Sequence, residues 1–96
     1  MEACKNNKFP ICQISTDEVY GPIAEGSFVE SDNLAPKNYY AATKAAAEHI
    51  VCAYSNTFDI PYTIIRMSNN YGPRQNNEKF LPTIIKSIKD NQGELK

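Results

Sequence analysis

Residues 39–58, YYAATKAAAEHIVCAYSNTF, restrict the fold of this chain more than any other stretch. They are rich in alanine, the strongest helix former, and contain neither proline nor glycine. Apolar residues recur at helical spacing through Ala46, Ile50, Tyr54 and Phe58, which predicts an amphipathic helix that buries this face. Two short runs flank it. In FPICQIS, Ile11, Cys12 and Ile14 lie between a proline and a polar cluster, the pattern of a short strand buried on both faces. DIP then stops the helix, and YTIIR supplies the β-branched residues of a second strand. A connection this long excludes a tight hairpin, so the strands are expected to pair in parallel. KFLPTIIKSIKDN adds a second amphipathic helix, with Pro82 in its first turn, where a missing amide hydrogen costs little. The order strand, helix, strand, helix makes this an α/β chain with a right-handed crossover.

Composition narrows the function classes. Ten basic and eleven acidic side chains among 96 residues leave a net charge of −1, with no like-charge block to track a nucleic acid or an anionic membrane. Cys4, Cys12 and Cys52 are odd in number and lack metal-site spacing, so they read as reduced thiols and no metal site is expected. No segment has the length of a membrane span or the apolar core of a signal peptide. A cytoplasmic chain without a nucleic-acid or membrane partner is the expectation.

In open parallel sheets, ligands sit beyond the carboxyl ends of the strands. Three polar segments are expected on that rim: STDEVYGP after the first strand, the start of the long helix with YAATK, and SNNYGP after the second strand. Residues 16–38 read as a long irregular connection. Ser15 to Glu18 has the pattern of a capping box, but Gly21-Pro22 leaves almost no helix to cap. Asp17 and Glu18 are therefore candidates for an acid and base pair, since two adjacent carboxylates oppose each other's ionisation. Tyr40 and Lys44, four apart on a helix, project from one face. Bringing a tyrosine with a pKa of about 10 to half-ionisation near pH 7 takes roughly 4 kcal/mol, and a neighbouring ammonium is one source. Asn69 and Asn70 fit either side-chain turns beside Gly-Pro or ligand contacts. His49 is assigned to packing or solvent, and Tyr39, Tyr54 and Tyr62 to packing.

STDEVYG, YAATK, RMSNNYGP and EKFLP, in this order and at these separations, closely resemble the nucleotide-sugar 4,6-dehydratases of the extended short-chain dehydrogenase/reductase superfamily. The resemblance implies a partial Rossmann-like parallel sheet over residues 1–96, an NAD-binding domain carrying the catalytic segment. The Gly-rich amino-terminal half and the carboxyl-terminal substrate region of the family are absent, and the glycines at 21, 26, 72 and 93 form no phosphate cradle. It also implies a lyase that converts dTDP- or UDP-glucose to a 4-keto-6-deoxy sugar with loss of water, homodimeric at full length and inactive as this chain alone. By the same resemblance Tyr40 is the base at the C4 hydroxyl, and Lys44 assists it and holds the nicotinamide ribose. Glu18 takes the C5 proton and Asp17 protonates the departing C6 hydroxyl. Thr16, Asn70, Lys79 and Phe80 would contact substrate, and Asn69 the cofactor. Asn76-Asn77 stand where the family commonly has an aromatic and a proline, and Tyr39 where it has a proline before the tyrosine. An epimerase or decarboxylase fragment, which Asp17-Glu18 argues against, and a noncatalytic truncated remnant are the alternatives.

Overall fold

The computed structural model describes residues 1–90; Asn91, the last residue of the expected second amphipathic helix, lies outside them. The elements run α1 (Glu2–Asn7), β1 (Ile11–Thr16), a single 3-10 turn η1 (Asp17–Tyr20), α2 (Tyr39–Phe58), β2 (Tyr62–Met67) and α3 (Phe80–Lys89). β1 and β2 form a two-stranded parallel sheet in the register Ile11↔Tyr62 to Thr16↔Met67. α2 connects them and packs on β1 and η1.

Local chemistry sets the ends of α2. Asn38 has extended backbone and its Oδ1 accepts from the Ala41 amide at 2.7 Å, a side-chain N-cap. At the other end Asp59 takes the left-handed conformation (φ 53°) and the Ile60 amide donates to the Ser55 carbonyl at 3.0 Å, which closes the helix. Ile60 is buried beneath that turn, and the Pro61 carbonyl accepts from the Ile11 amide at 2.9 Å, so the helix end delivers the chain into the sheet.

Several details depart from the sequence reading. The face of α2 expected inside, Ala46, Ile50, Tyr54 and Phe58, is exposed or half-buried, and Ala41, Ala45, Glu48, Val51 and Ser55 are buried instead. The helix is rotated because Glu48 has a partner across the sheet, Arg66 of β2, that no local pattern reveals. β1 is not buried on both faces: Ile14 is 44% exposed and the strand's buried residues are Ser15 and Thr16. Only one face of the sheet carries a helix among the described residues, so its apolar side chains on the other face meet solvent. Tyr39 is 93% exposed and makes no packing contribution. α1, six residues long, has no counterpart in the sequence reading. Pro82 does occupy the first turn of α3, which has no buried residue.

Candidate active site

Gly21-Pro22 leaves the acidic pair no more than a single helical turn. Asp17 to Tyr20 form one turn of 3-10 helix, with Thr16 as N-cap rather than Ser15. Thr16 Oγ1 accepts from the Glu18 amide and donates to Asp17 Oδ1, both at 3.3 Å, so its hydroxyl is engaged within the turn. One turn is the length that fits before Gly21, whose φ of 86° ends it. Beyond it the connection folds back on itself. The Ala35 amide donates to the Val19 carbonyl at 2.9 Å. A Cβ on Gly21 would stand 2.5 Å from the Ala35 carbonyl oxygen, so this pinch admits only glycine.

Asp17 and Glu18 diverge. Successive side chains of a 3-10 helix point about 120° apart. Asp17 lines a cavity of about 680 Å³ with Tyr20, Phe28, Ile64 and Arg66. Glu18 lines a different one of about 290 Å³ with Gly21, Pro22, Lys37 and Asn38. Glu18 Oε2 accepts from the Asn38 side-chain amide at 2.8 Å, two residues before Tyr40.

Tyr40 is 54% exposed in the first turn of α2. Lys44 Nζ lies 5.9 Å from the Tyr40 ring centroid and donates to the Ile14 carbonyl of β1 at 3.0 Å. One hydrogen bond leaves the ammonium two further donors. Asn69, Asn70, Lys79 and Phe80 come together around a cavity of about 150 Å³, which Tyr71, Gln75 and Leu81 also line. None of Asp17, Glu18, Tyr40 or Lys44 lines that cavity. Asn70 offers its backbone carbonyl to Gln75. The structure thus brings Glu18 to the helix that carries Tyr40 and Lys44, and gathers the second group separately.

The polar cluster that the sequence reading missed lies behind the turn. Glu48 is buried, and its carboxylate takes both Nε and Nη2 of Arg66 at 2.7–3.1 Å. Arg66 Nη1 also donates to the Tyr20 hydroxyl and, at 2.9 Å, to the Glu30 carbonyl. The guanidinium stacks on the Tyr20 ring at 4.8 Å, and Tyr20 stacks in turn on Phe28 at 4.9 Å. One side chain therefore ties β2, α2, the end of the acidic turn and the connection that follows. Burial pushes the Glu48 carboxyl up, but the hydrogen bonds and charge of Arg66 outweigh it and hold the carboxyl below its ordinary value. Arg66 is raised by the same hydrogen bonds, against the opposing effect of burial. A glutamate four residues after Lys44 was the available signal, since that spacing repeats one helix face.

The family model for GDP-mannose 4,6 dehydratase matches residues 1–96. The low-salt glycan biosynthesis protein Agl12 of Haloferax volcanii is 56% identical over 73 residues, 76% of this chain and 24% of that protein. The dTDP-glucose 4,6-dehydratase of Neisseria gonorrhoeae is 44% identical over 87 residues, 88% of this chain and 25% of that protein. The crystal structure of the Bacillus anthracis dTDP-glucose 4,6-dehydratase in complex with NAD superposes with a TM-score of 0.84 at 38% identity, covering 98% of this chain and 31% of that one. The chain spans about a quarter of the length of the curated relatives it matches, and its parallel strand–helix–strand–helix unit is Rossmann-like. It belongs to the GDP-mannose 4,6 dehydratase family.

Proposed function

We propose that this chain supplies the catalytic segment of an NAD-dependent nucleotide-sugar 4,6-dehydratase, a lyase acting on dTDP- or UDP-glucose. The observation that carries the reading is the junction of two chemistries at one helix start. Glu18 is bonded to Asn38, and the helix that Asn38 caps presents Tyr40 and Lys44, with Lys44 anchored at β1. The bound cofactor of the Bacillus anthracis relative supports the choice of NAD.

The donor set fits the ribose half of such a cofactor: Lys44 keeps two free donors, and the Tyr40 side chain stands half-exposed beside it. When bound, NAD supplies the acceptor for hydride from sugar C4 and its later donor to C6. Tyr40, acting as the phenolate, takes the C4 hydroxyl proton, with Lys44 Nζ 5.9 Å from its ring centroid. The 4-keto group acidifies the C5 hydrogen; Glu18 removes it as a proton and, once C6 is reduced, returns a proton to C5. Asp17 gives a proton to the C6 hydroxyl, which leaves as water. Their divergence into two cavities gives base and acid two directions of approach. Thr16 is assigned to the substrate hydroxyls, Asn70 to the substrate, Lys79 and Phe80 to the diphosphate end, and Asn69 to the cofactor. The reading carries with it a cytoplasmic homodimer of the short-chain dehydrogenase/reductase superfamily, and among the described residues no helix is long and apolar enough to cross a membrane.

The test is an enzyme completed with the flanking segments of the Bacillus anthracis relative. It is expected to form the 4-keto-6-deoxy product. Glu18→Gln should still permit oxidation at C4 yet abolish exchange of the C5 hydrogen with solvent, whereas Tyr40→Phe should suppress the first hydride transfer. Undiminished C5 exchange in Glu18→Gln would remove Glu18 from its role.

A further inference from the structure

Asn38 makes two hydrogen bonds that belong to different tasks. Its Oδ1 accepts from the Ala41 amide at 2.7 Å and caps α2; its Nδ2 donates to Glu18 Oε2 at 2.8 Å. A planar amide fixes the angle between its oxygen and its nitrogen. Whatever holds the oxygen to the helix therefore also aims the nitrogen, and with it the carboxylate that the nitrogen holds. We propose that Asn38 is a positioning residue that sets the Glu18 carboxylate relative to Tyr40 and Lys44, so that the proton at C5 is removed in register with the oxidation at C4. The inference rests on the dehydratase reading above.

Three features make this more than an ordinary cap. Glu18 and Asn38 are twenty residues apart, so the bond is tertiary. The connection between them is pinned at both ends, by the Gly21 pinch on Ala35 and by Arg66 holding Tyr20 and the Glu30 carbonyl, which restrains the reach of Glu18. Capping itself does not require an amide, since serine and aspartate cap as well as asparagine. What Asn38 adds is a second polar atom, the amide nitrogen, held at a fixed angle to the capping oxygen: serine has one polar atom for both tasks, and ionised aspartate has no donor.

That difference supplies the test, in the completed enzyme. Asn38→Ser and Asn38→Asp keep a capping oxygen; the first replaces the amide nitrogen with a shorter single hydroxyl that has to serve cap and carboxylate through one atom, and the second sets a like charge against Glu18. Both variants are expected to melt within a few degrees of the parent and to accumulate reduced cofactor in the first half-reaction within twofold of it. C5 hydrogen exchange should fall roughly tenfold in Asn38→Ser and further in Asn38→Asp, since small misplacements of a reacting group carry losses of this order. Crystal structures of the parent and Asn38→Ser should show Glu18 turned from its parent position with the start of α2 unchanged. Exchange within twofold of the parent in both variants, equal losses in exchange and in first hydride transfer, or an unmoved Glu18 in Asn38→Ser would each overturn the proposal. A parent protein that forms no reduced cofactor and no product sinks the dehydratase reading instead, and the position of Glu18 in the two crystal structures still decides whether Asn38 sets it.

Discussion

At the scale of single residues, the Glu48–Arg66 pair and Gly21 carry the most weight. Removing one member of a buried pair strands the other, so Glu48→Gln is expected to cost on the order of 3 kcal/mol at neutral pH, read as a lower urea midpoint. The pH dependence has a definite sign. The Glu48 carboxyl is lower in the folded chain than its ordinary 4.5, so its contribution is complete above that value and is lost as pH falls through the folded one. Arg66 is raised, so its contribution persists through the neutral range. Acid titration of the parent should therefore show a steeper loss of stability below about pH 4.5 than titration of Glu48→Gln. Gly21→Ala combines a positive φ with a collision against backbone. It should cost roughly 1–3 kcal/mol, and because the pinch borders Glu18, C5 exchange in the completed enzyme should fall with it.

Among the elements, α2 holds the core while α3 holds none of it. Val51→Ala, at a residue 2% exposed, should destabilise the chain by roughly 1–3 kcal/mol. Ile85→Ser, on the unpacked face of α3, should change stability by less than about 0.5 kcal/mol; denaturant titrations of the two variants make the comparison. The span of α2 and the parallel order of the strands were legible in the sequence because alanine content, proline position and connection length are local properties. The buried face of α2 was not, because hydropathy assigns Glu48 and Ser55 to solvent, and only Arg66 arriving from β2 makes Glu48 an interior residue. The adjacency of Asp17 and Glu18 was legible too, but not their divergence, which follows from the 3-10 turn. Asn38 reads in the sequence only as the end of the irregular connection, and its bond to Glu18 depends on how that connection folds.

The whole molecule is extended. Its radius of gyration is 18.1 Å and its dimensions 57 × 31 × 21 Å, whereas a compact chain of this length has a radius of about 12–13 Å. Phe80, Ile85 and Ile88 on α3, and Ile14 and Ile65 on the sheet, are exposed apolar side chains, and among the described residues each strand has an open edge. Such surface favours association. Expressed alone, the chain is expected to associate or fold marginally and neither to bind NAD tightly nor to turn over a nucleotide sugar; calorimetry, product assay and sedimentation check this together. Micromolar binding with turnover by a monodisperse monomer would contradict it.

The parallel register also governs the order in which the structure can be made. Ile11 meets Tyr62, 51 residues later, and closing a loop of that size costs about 3.5 kcal/mol in chain entropy before any strand pair rewards it. A ribosome adding about 5–20 residues each second leaves β1 waiting roughly 3–10 s for its partner. Within that interval the helix between them can form in microseconds, but the β2 residues that pair with ICQIST are still to come. The nascent chain thus passes through a stage in which α2 is helical while the β1–β2 ladder is still unformed.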